Sequence, residues 1–118
     1  MSEHFQRFFK YIVNAEKRTL KLPDELNHQY SHLLPVECTL TTREGRRYNV
    51  TMRGNLCRVV FDEGWLAFVR AEAIMTDNCL WFDRTSLTDF VVTIHTENQV
   101  ERELQHRFTL QSFNTVLG

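Results

Sequence analysis

The chain has 118 residues, 42% of them hydrophobic and 25% charged, with a formal net charge of −1. This size and composition predict one globular domain with a core of its own, and they argue against a disordered segment. No apolar stretch approaches the roughly 20 residues that cross a bilayer, and the first residues lack the pattern of a secretory signal.

The charges are unevenly distributed along the chain. Residues 1–60 contain ten Lys or Arg against six Asp or Glu, whereas residues 61–118 contain four against nine. We therefore expect any surface that meets a polyanion to come from the first half, with the acidic second half facing away.

The three cysteines form no metal or redox motif. Cys38, Cys57 and Cys79 include no CxxC pair. We interpret all three as small buried hydrophobes in a reducing compartment.

In the first third of the chain, two strands precede a helix. Residues 5–13 are aromatic and β-branched and residues 19–22 alternate, so both predict strands joined by a polar loop. Pro23 followed by two acidic residues favours a helix start. Four residues give that helix an apolar side, namely Leu26, Tyr30, Leu33 and Leu34. Pro35 is expected to end it.

Three more strands follow, separated by glycine-containing connections. Alternation predicts strands at 36–42, 47–53 and 56–61. We expect Gly45 to supply a positive φ in the first connection, and Gly54-Asn55 marks the second as a loop.

The last third begins with a short helix at 64–70. Trp65, Phe68 and Val69 are spaced for one helical face, which places Trp65 in the core rather than on the surface as a stacking platform. Strands are predicted at 79–82 and 89–95. Residues 96–118 are first polar and then apolar, as expected of a linker or an extension that docks back.

The element order β-β-α-β-β-β-α-β-β predicts a mixed, mainly β fold, a barrel with two short capping helices.

The sequence gives little support for an enzyme. His28 and His32 share a helical face, but Gln29 stands where a zinc protease needs glutamate. Asp62-Glu63 is interpreted as a solvated turn before a helix. We predict no catalytic residue, metal, cofactor or small-molecule substrate.

Three motifs follow one another along the chain: Phe8-Phe9-Lys10, Leu20-Lys21-Leu22-Pro23, and Gly64-Trp65 followed by Phe68-Val69. In this order they resemble the plant B3 domain, most closely its reproductive-meristem branch. The resemblance covers residues 5–95. It implies a seven-stranded open β-barrel that binds double-stranded DNA, with two loops, or arms, in the major groove.

By this resemblance the first arm is 14–19 and the second is 53–58. Arg53, Gly54 and Arg58 match an Arg-Gly-x-x-x-Arg stretch that begins eleven residues before Gly-Trp in the auxin-response branch. Arginine can pair O6 and N7 of guanine, and asparagine can pair N6 and N7 of adenine. The predicted DNA contacts are Asn14, Lys17, Arg18, Thr19, Arg53, Gly54, Asn55, Leu56 and Arg58. Phosphate contacts are predicted at Lys10, Lys21, Arg46 and Arg47.

One departure from the family lies before the sixth strand, where Asp77-Asn78 replaces the usual Gly-Asp. We expect Asn78 to tolerate the left-handed conformation that such a turn requires. The resemblance implies the DNA-binding domain of a nuclear transcription regulator. The alternative is a protein-interaction or self-association module that keeps the barrel, reads little DNA and docks through residues 96–118.

Overall fold

The structure is a computed structural model that describes residues 7–95. Its seven strands form one sheet in the order β1-β6-β7-β3-β4-β5-β2. The strands are β1 Arg7–Tyr11, β2 Leu20–Lys21, β3 Val36–Thr42, β4 Arg47–Asn55, β5 Arg58–Phe61, β6 Cys79–Arg84 and β7 Asp89–His95. Neighbouring strands are antiparallel except β3 and β7, which are parallel.

The sheet curls until distant strands share one core. In the strand order β5 and β6 are four steps apart, about 19 Å if the sheet were flat. The rings of Phe61 on β5 and Phe82 on β6 are nevertheless 5.9 Å apart, and Phe61 lies 5.4 Å from Phe90 on β7. The fold is therefore a mainly β, curled half-barrel with two short helices, as the sequence predicted.

The first helical segment is shorter than predicted. A 3₁₀ turn Asp24–Leu26 runs into α1, Asn27–Tyr30. Leu26 and Tyr30 are buried as expected, but Leu33 is exposed. The helix could not reach Leu34, because the residue before a proline disfavours the α conformation. At the end of α1 the Tyr30 hydroxyl donates a hydrogen bond to the Leu87 carbonyl at 2.6 Å. This bond links α1 to the turn between β6 and β7.

The second helix, α2, spans Trp65–Ala71 and caps the barrel as predicted. Trp65, Phe68 and Val69 are all buried. The Trp65 ring stacks on Phe61 with centroids 5.9 Å apart, so Trp65 is a core residue. No helix among the described residues is long and apolar enough to cross a membrane.

Two local predictions need correction. Cys38 and Cys79 are buried, but Cys57 is exposed, because it occupies the tip of a hairpin. Asp77, not Asn78, takes the positive φ, because Asp77 stands where the family has glycine, and aspartate tolerates the left-handed region. The backbone of both residues pairs with Ile12. The Asn78 side chain accepts from the Met75 N–H instead.

Gly45 has the positive φ that was predicted for its turn. The predicted extension 96–118 and its role as a docking surface lie outside the described residues.

Candidate nucleic-acid interface

The second arm is a tight β-hairpin rather than a loop. Strand β4 continues to Asn55, and only Leu56 and Cys57 lie between it and β5. Side chains alternate across a strand, and Met52 and Val59 are buried on the inner face. Because Asn55 pairs with Arg58 in the register, the side chains of Arg53, Asn55 and Arg58 share the outer face.

The hairpin requires glycine at position 54. Gly54 has a φ of 135°, a conformation that L side chains rarely adopt. A Cβ at this position would lie 2.0 Å from the Arg58 carbonyl oxygen. Glycine at position 54 therefore lets the backbones of β4 and β5 approach closely. Gly54 was predicted as a DNA contact of the second arm, and the structure gives it this role in the backbone of the hairpin.

Asn55 holds the turn of the hairpin. Its Oδ1 accepts hydrogen bonds from the backbone N–H groups of Cys57, at 2.8 Å, and Arg58, at 3.1 Å. The adenine pairing considered from the sequence needs this oxygen as an acceptor together with the amide as a donor. In this conformation only the Asn55 amide nitrogen is available to DNA.

Arg53 is engaged by two carboxylates. Its Nε donates to Glu63 Oε1 at 2.8 Å and lies 3.7 Å from Asp62 Oδ2. The hydrogen bond and charge of Glu63 raise the pKa of Arg53, and the hydrogen bond from Arg53 lowers the pKa of Glu63. The acidic pair was interpreted as a solvated turn, and the second half of the chain was expected to face away. Asp62 and Glu63 do lie on a solvated turn before α2, but β5 also delivers them beside β4, where they pair with Arg53. Part of the acidic half of the chain therefore lies next to the second arm rather than away from it.

The tip of the hairpin carries an exposed cation and an exposed apolar side chain. Arg58 is exposed, and within residues 7–95 it makes no ion pair. Leu56 is 57% exposed at the turn, where an aliphatic group can contact a thymine methyl.

The first arm is a short turn fixed at its base. Asn14 Oδ1 accepts from the Glu16 N–H at 2.9 Å, and the Ala15 N–H donates to Thr76 Oγ1 at 3.0 Å. Lys17 and Arg18 are exposed on this turn, without an ion pair in the described part of the chain.

The first arm leads into β2, the second arm joins β4 to β5, and β2 and β5 are neighbours in the sheet. Val60 on β5 pairs with Lys21 on one side and with Arg53 on the other. Two strand spacings separate the backbones of Lys21 and Arg53, about 10 Å. Thr19, half-buried, leads into β2 directly before this point. Arg18 also lines a concavity of about 540 Å³ with residues 62–64, so the β5–α2 turn, which pairs with Arg53 of the second arm, also borders the first arm.

The predicted phosphate contacts divide into two groups. Lys21 lies beside the second arm but pairs with Asp24 at 2.7 Å, which lowers the pKa of Asp24. Lys10 is half-buried, and burial, then the charge of Lys21, lowers its pKa. Lys10 and Lys21 line one concavity under the first arm together with Lys17.

Arg46 and Arg47 lie at the other end of β4, about 25 Å along the strand from Asn55. Arg46 binds the buried carboxylate of Glu72. The structure therefore does not bring this pair to the two arms. No pattern in the sequence indicated that Glu72 is buried and bound to Arg46, because it is a single glutamate between two alanines at the end of a helix.

Solved structures with this architecture include plant and bacterial proteins. A hypothetical Arabidopsis thaliana protein superposes with a TM-score of 0.70 at 23% identity, over 84% of this chain and 99% of that one. Arabidopsis FUS3 in a DNA complex superposes with a TM-score of 0.55 at 16% identity, over 75% of this chain and 95% of that one. The N-terminal domain of Helicobacter pylori LlaJI.R1 superposes with a TM-score of 0.55 at 7% identity, over 87% of this chain and 91% of that one. The chain thus has the B3-type half-barrel fold.

Sequence comparison identifies the family. The model of the B3 DNA-binding domain matches residues 5–98, and the chain therefore belongs to that family. A B3 domain-containing protein from Oryza sativa subsp. japonica is 25% identical over 108 residues, which is 92% of this chain. The chain spans about a tenth of the length of that relative.

Proposed function

We propose that this chain binds double-stranded DNA by placing its two arms in the major groove, as the DNA-binding module of a plant transcription regulator in the nucleus. The observation that carries the proposal is the clustering of Arg53, Asn55 and Arg58 on the outer face of one hairpin. Family membership supports DNA as the ligand, and FUS3, a protein of the same fold, forms a DNA complex. The assignment to the reproductive-meristem branch remains a prediction.

The hairpin has suitable dimensions for a groove. A two-stranded β-ribbon fits the major groove of B-form DNA, which is about 12 Å wide. Because Arg53, Asn55 and Arg58 project from one face, they can meet base edges together. Leu56, in the turn, would be at the end of the hairpin that enters the groove first.

The first arm supplies charge. Lys17 and Arg18 are exposed and unpaired within residues 7–95, so they can neutralise phosphates without breaking an ion pair. Asn14 and Thr19 frame this arm, and the nearby Lys10 and Lys21 extend the positive surface. Phosphate contacts of this kind fix the orientation of a protein on DNA, while base contacts supply specificity.

The proposal is tested by selecting a binding site from random duplex DNA with the full chain, then measuring affinity by fluorescence anisotropy. We expect Arg58→Ala to weaken binding to the selected site by about 5- to 100-fold, the usual effect of losing one base-reading arginine. Lys17→Ala should weaken binding to all duplexes similarly and flatten the salt dependence by about one phosphate contact.

Arg70→Ala is the charge-matched control, because Arg70 is exposed on α2 and belongs to neither arm. Equal losses from Arg58→Ala and Arg70→Ala would show that the hairpin is not the contact surface. Absence of duplex binding by the unmodified chain at low salt would contradict DNA binding itself.

A further inference from the structure

The turn between β5 and α2 is fixed against β4 by its backbone. The Thr51 N–H donates to the Glu63 carbonyl at 2.8 Å, and the Asp62 N–H donates to the Thr51 carbonyl at 2.7 Å. Gly64, with a φ of 93°, lets the turn approach, since a Cβ there would lie 2.3 Å from the Asn49 carbonyl oxygen. Glu63 is therefore held at a set position, two residues along β4 from Arg53.

The two acidic residues of this turn act differently on Arg53. Glu63 Oε1 accepts a hydrogen bond from Arg53 Nε at 2.8 Å, whereas Asp62 Oδ2, at 3.7 Å, contributes charge without a hydrogen bond. Within the described residues, the two terminal amino groups of Arg53 make no hydrogen bond. A guanine edge offers two acceptors, O6 and N7, which suit those two amino groups.

We infer that Glu63 is a positioning residue for DNA recognition: it holds the Nε side of Arg53 so that the terminal amino groups meet a guanine edge. This inference rests on the proposed function. Holding the guanidinium before binding reduces the rotamer freedom that is lost when the complex forms.

Glu63 also makes Arg53 less suited to phosphate contact than the other cations of the interface. A carboxylate beside Arg53 repels DNA phosphates, which disfavours a contact between this arginine and the backbone. Lys17, Arg18 and Arg58 have no such neighbour among the ion pairs of residues 7–95. Glu63 thus lowers the affinity for arbitrary DNA while raising the preference for a particular base.

The test compares Glu63→Ala with Asp62→Ala in the full chain. Both variants remove one negative charge from the same turn, but only the first removes the hydrogen bond to Arg53. Anisotropy is measured on the duplex selected with the unmodified chain and on a duplex of permuted sequence. We expect both variants to bind the permuted duplex more tightly, since each removes a repulsive charge.

The preference for the selected duplex separates the two variants. We expect Glu63→Ala to lower this ratio by about 5- to 30-fold and Asp62→Ala to leave it within about 2-fold. In an Arg53→Ala background, Glu63→Ala should no longer change the ratio, because its effect passes through Arg53.

An equal fall of the ratio in both variants, or no fall with Glu63→Ala, would overturn the inference while leaving DNA binding intact. The free protein provides a second measurement. The Arg53 Nε–H signal in NMR should exchange slowly with water in the unmodified chain and rapidly in Glu63→Ala; the same rapid exchange in both would also overturn the inference. If the unmodified chain binds no duplex at all, the proposed function fails and this inference fails with it.

Discussion

Arg46 and Glu72 form a two-point ion pair across the barrel. Arg46 Nε lies 2.8 Å from Glu72 Oε2, and Arg46 Nη2 lies 2.9 Å from Glu72 Oε1. The Glu72 side chain is only 1% exposed, and the Tyr48 hydroxyl donates to the same carboxylate. This cluster joins the end of α2 to the start of β4, and it employs an arginine that was predicted to hold a phosphate.

Replacing Glu72 with glutamine should therefore destabilise the domain. The amide places a donor at a buried position where Arg46 and the Tyr48 hydroxyl need an acceptor, so hydrogen bonds are lost there, while Arg46 itself stays half exposed to solvent. We expect Glu72→Gln to lower the free energy of unfolding by about 1–3 kcal/mol. Urea denaturation measures it. Glu44→Gln is the control, because Glu44 contacts the same arginine, at 3.2 Å, from an exposed position. The control should change stability by less than about 1 kcal/mol, and a similar loss in both variants would contradict the role of burial.

Gly54→Ala should cost more than Gly45→Ala. Both glycines have positive φ, but a Cβ at Gly54 meets the Arg58 carbonyl, whereas a Cβ at Gly45 meets nothing within 4 Å. We expect Gly45→Ala to cost about 1 kcal/mol of unfolding free energy from backbone strain alone. Gly54→Ala adds a steric clash, so we expect a loss above about 2 kcal/mol and weaker DNA binding. Equal stability of the two variants in thermal and urea unfolding would refute the close approach of β4 and β5.

The three cysteines should differ in their reactivity. Cys57 is exposed at the hairpin tip, whereas Cys38 and Cys79 are buried, and burial raises the pKa of the Cys38 thiol to about 12. Because the thiolate is the reactive form, a thiol reagent should label one cysteine rapidly in the folded chain and all three in denaturant. Peptide mapping by mass spectrometry identifies the site. Rapid labelling of Cys38 in the folded chain would contradict the core. If the hairpin enters DNA, a bulky adduct on Cys57 should also abolish duplex binding.

The pairing of Arg53 with Glu63 should appear in the pH titration of Glu63. The hydrogen bond from Arg53 lowers the pKa of Glu63, so the pair stabilises the folded state above the ordinary glutamate pKa. That contribution is lost as the pH falls through the lowered pKa. An NMR titration of the Glu63 carboxyl should give a midpoint below that of a free glutamate, and the midpoint should rise in Arg53→Ala. An unchanged midpoint in Arg53→Ala would show that the two side chains do not interact in solution.

The sequence by itself determined the elements whose pattern is local. Strands β3 and β7 were predicted with the bounds that the structure has. In β3 the alternation over seven residues reports directly which face is buried. The helical spacing of Trp65, Phe68 and Val69 likewise placed α2 on the core. The resemblance to the B3 family correctly identified the class of the domain, since its motifs are short and ordered along the chain.

Only the tertiary structure decided which charges meet. Glu72 reaches Arg46 across 26 residues of chain, and Glu63 reaches Arg53 only because β5 folds back along β4. Strand register and the curl of the sheet set these distances, and neither leaves a periodic signal in the sequence. The conversion of the second arm from a loop into a hairpin, with Asn55 bonded to its own turn and Cys57 exposed at the tip, has the same origin. Local patterns depend on the burial of one face, whereas the candidate site depends on contacts between strands that meet only when the barrel forms.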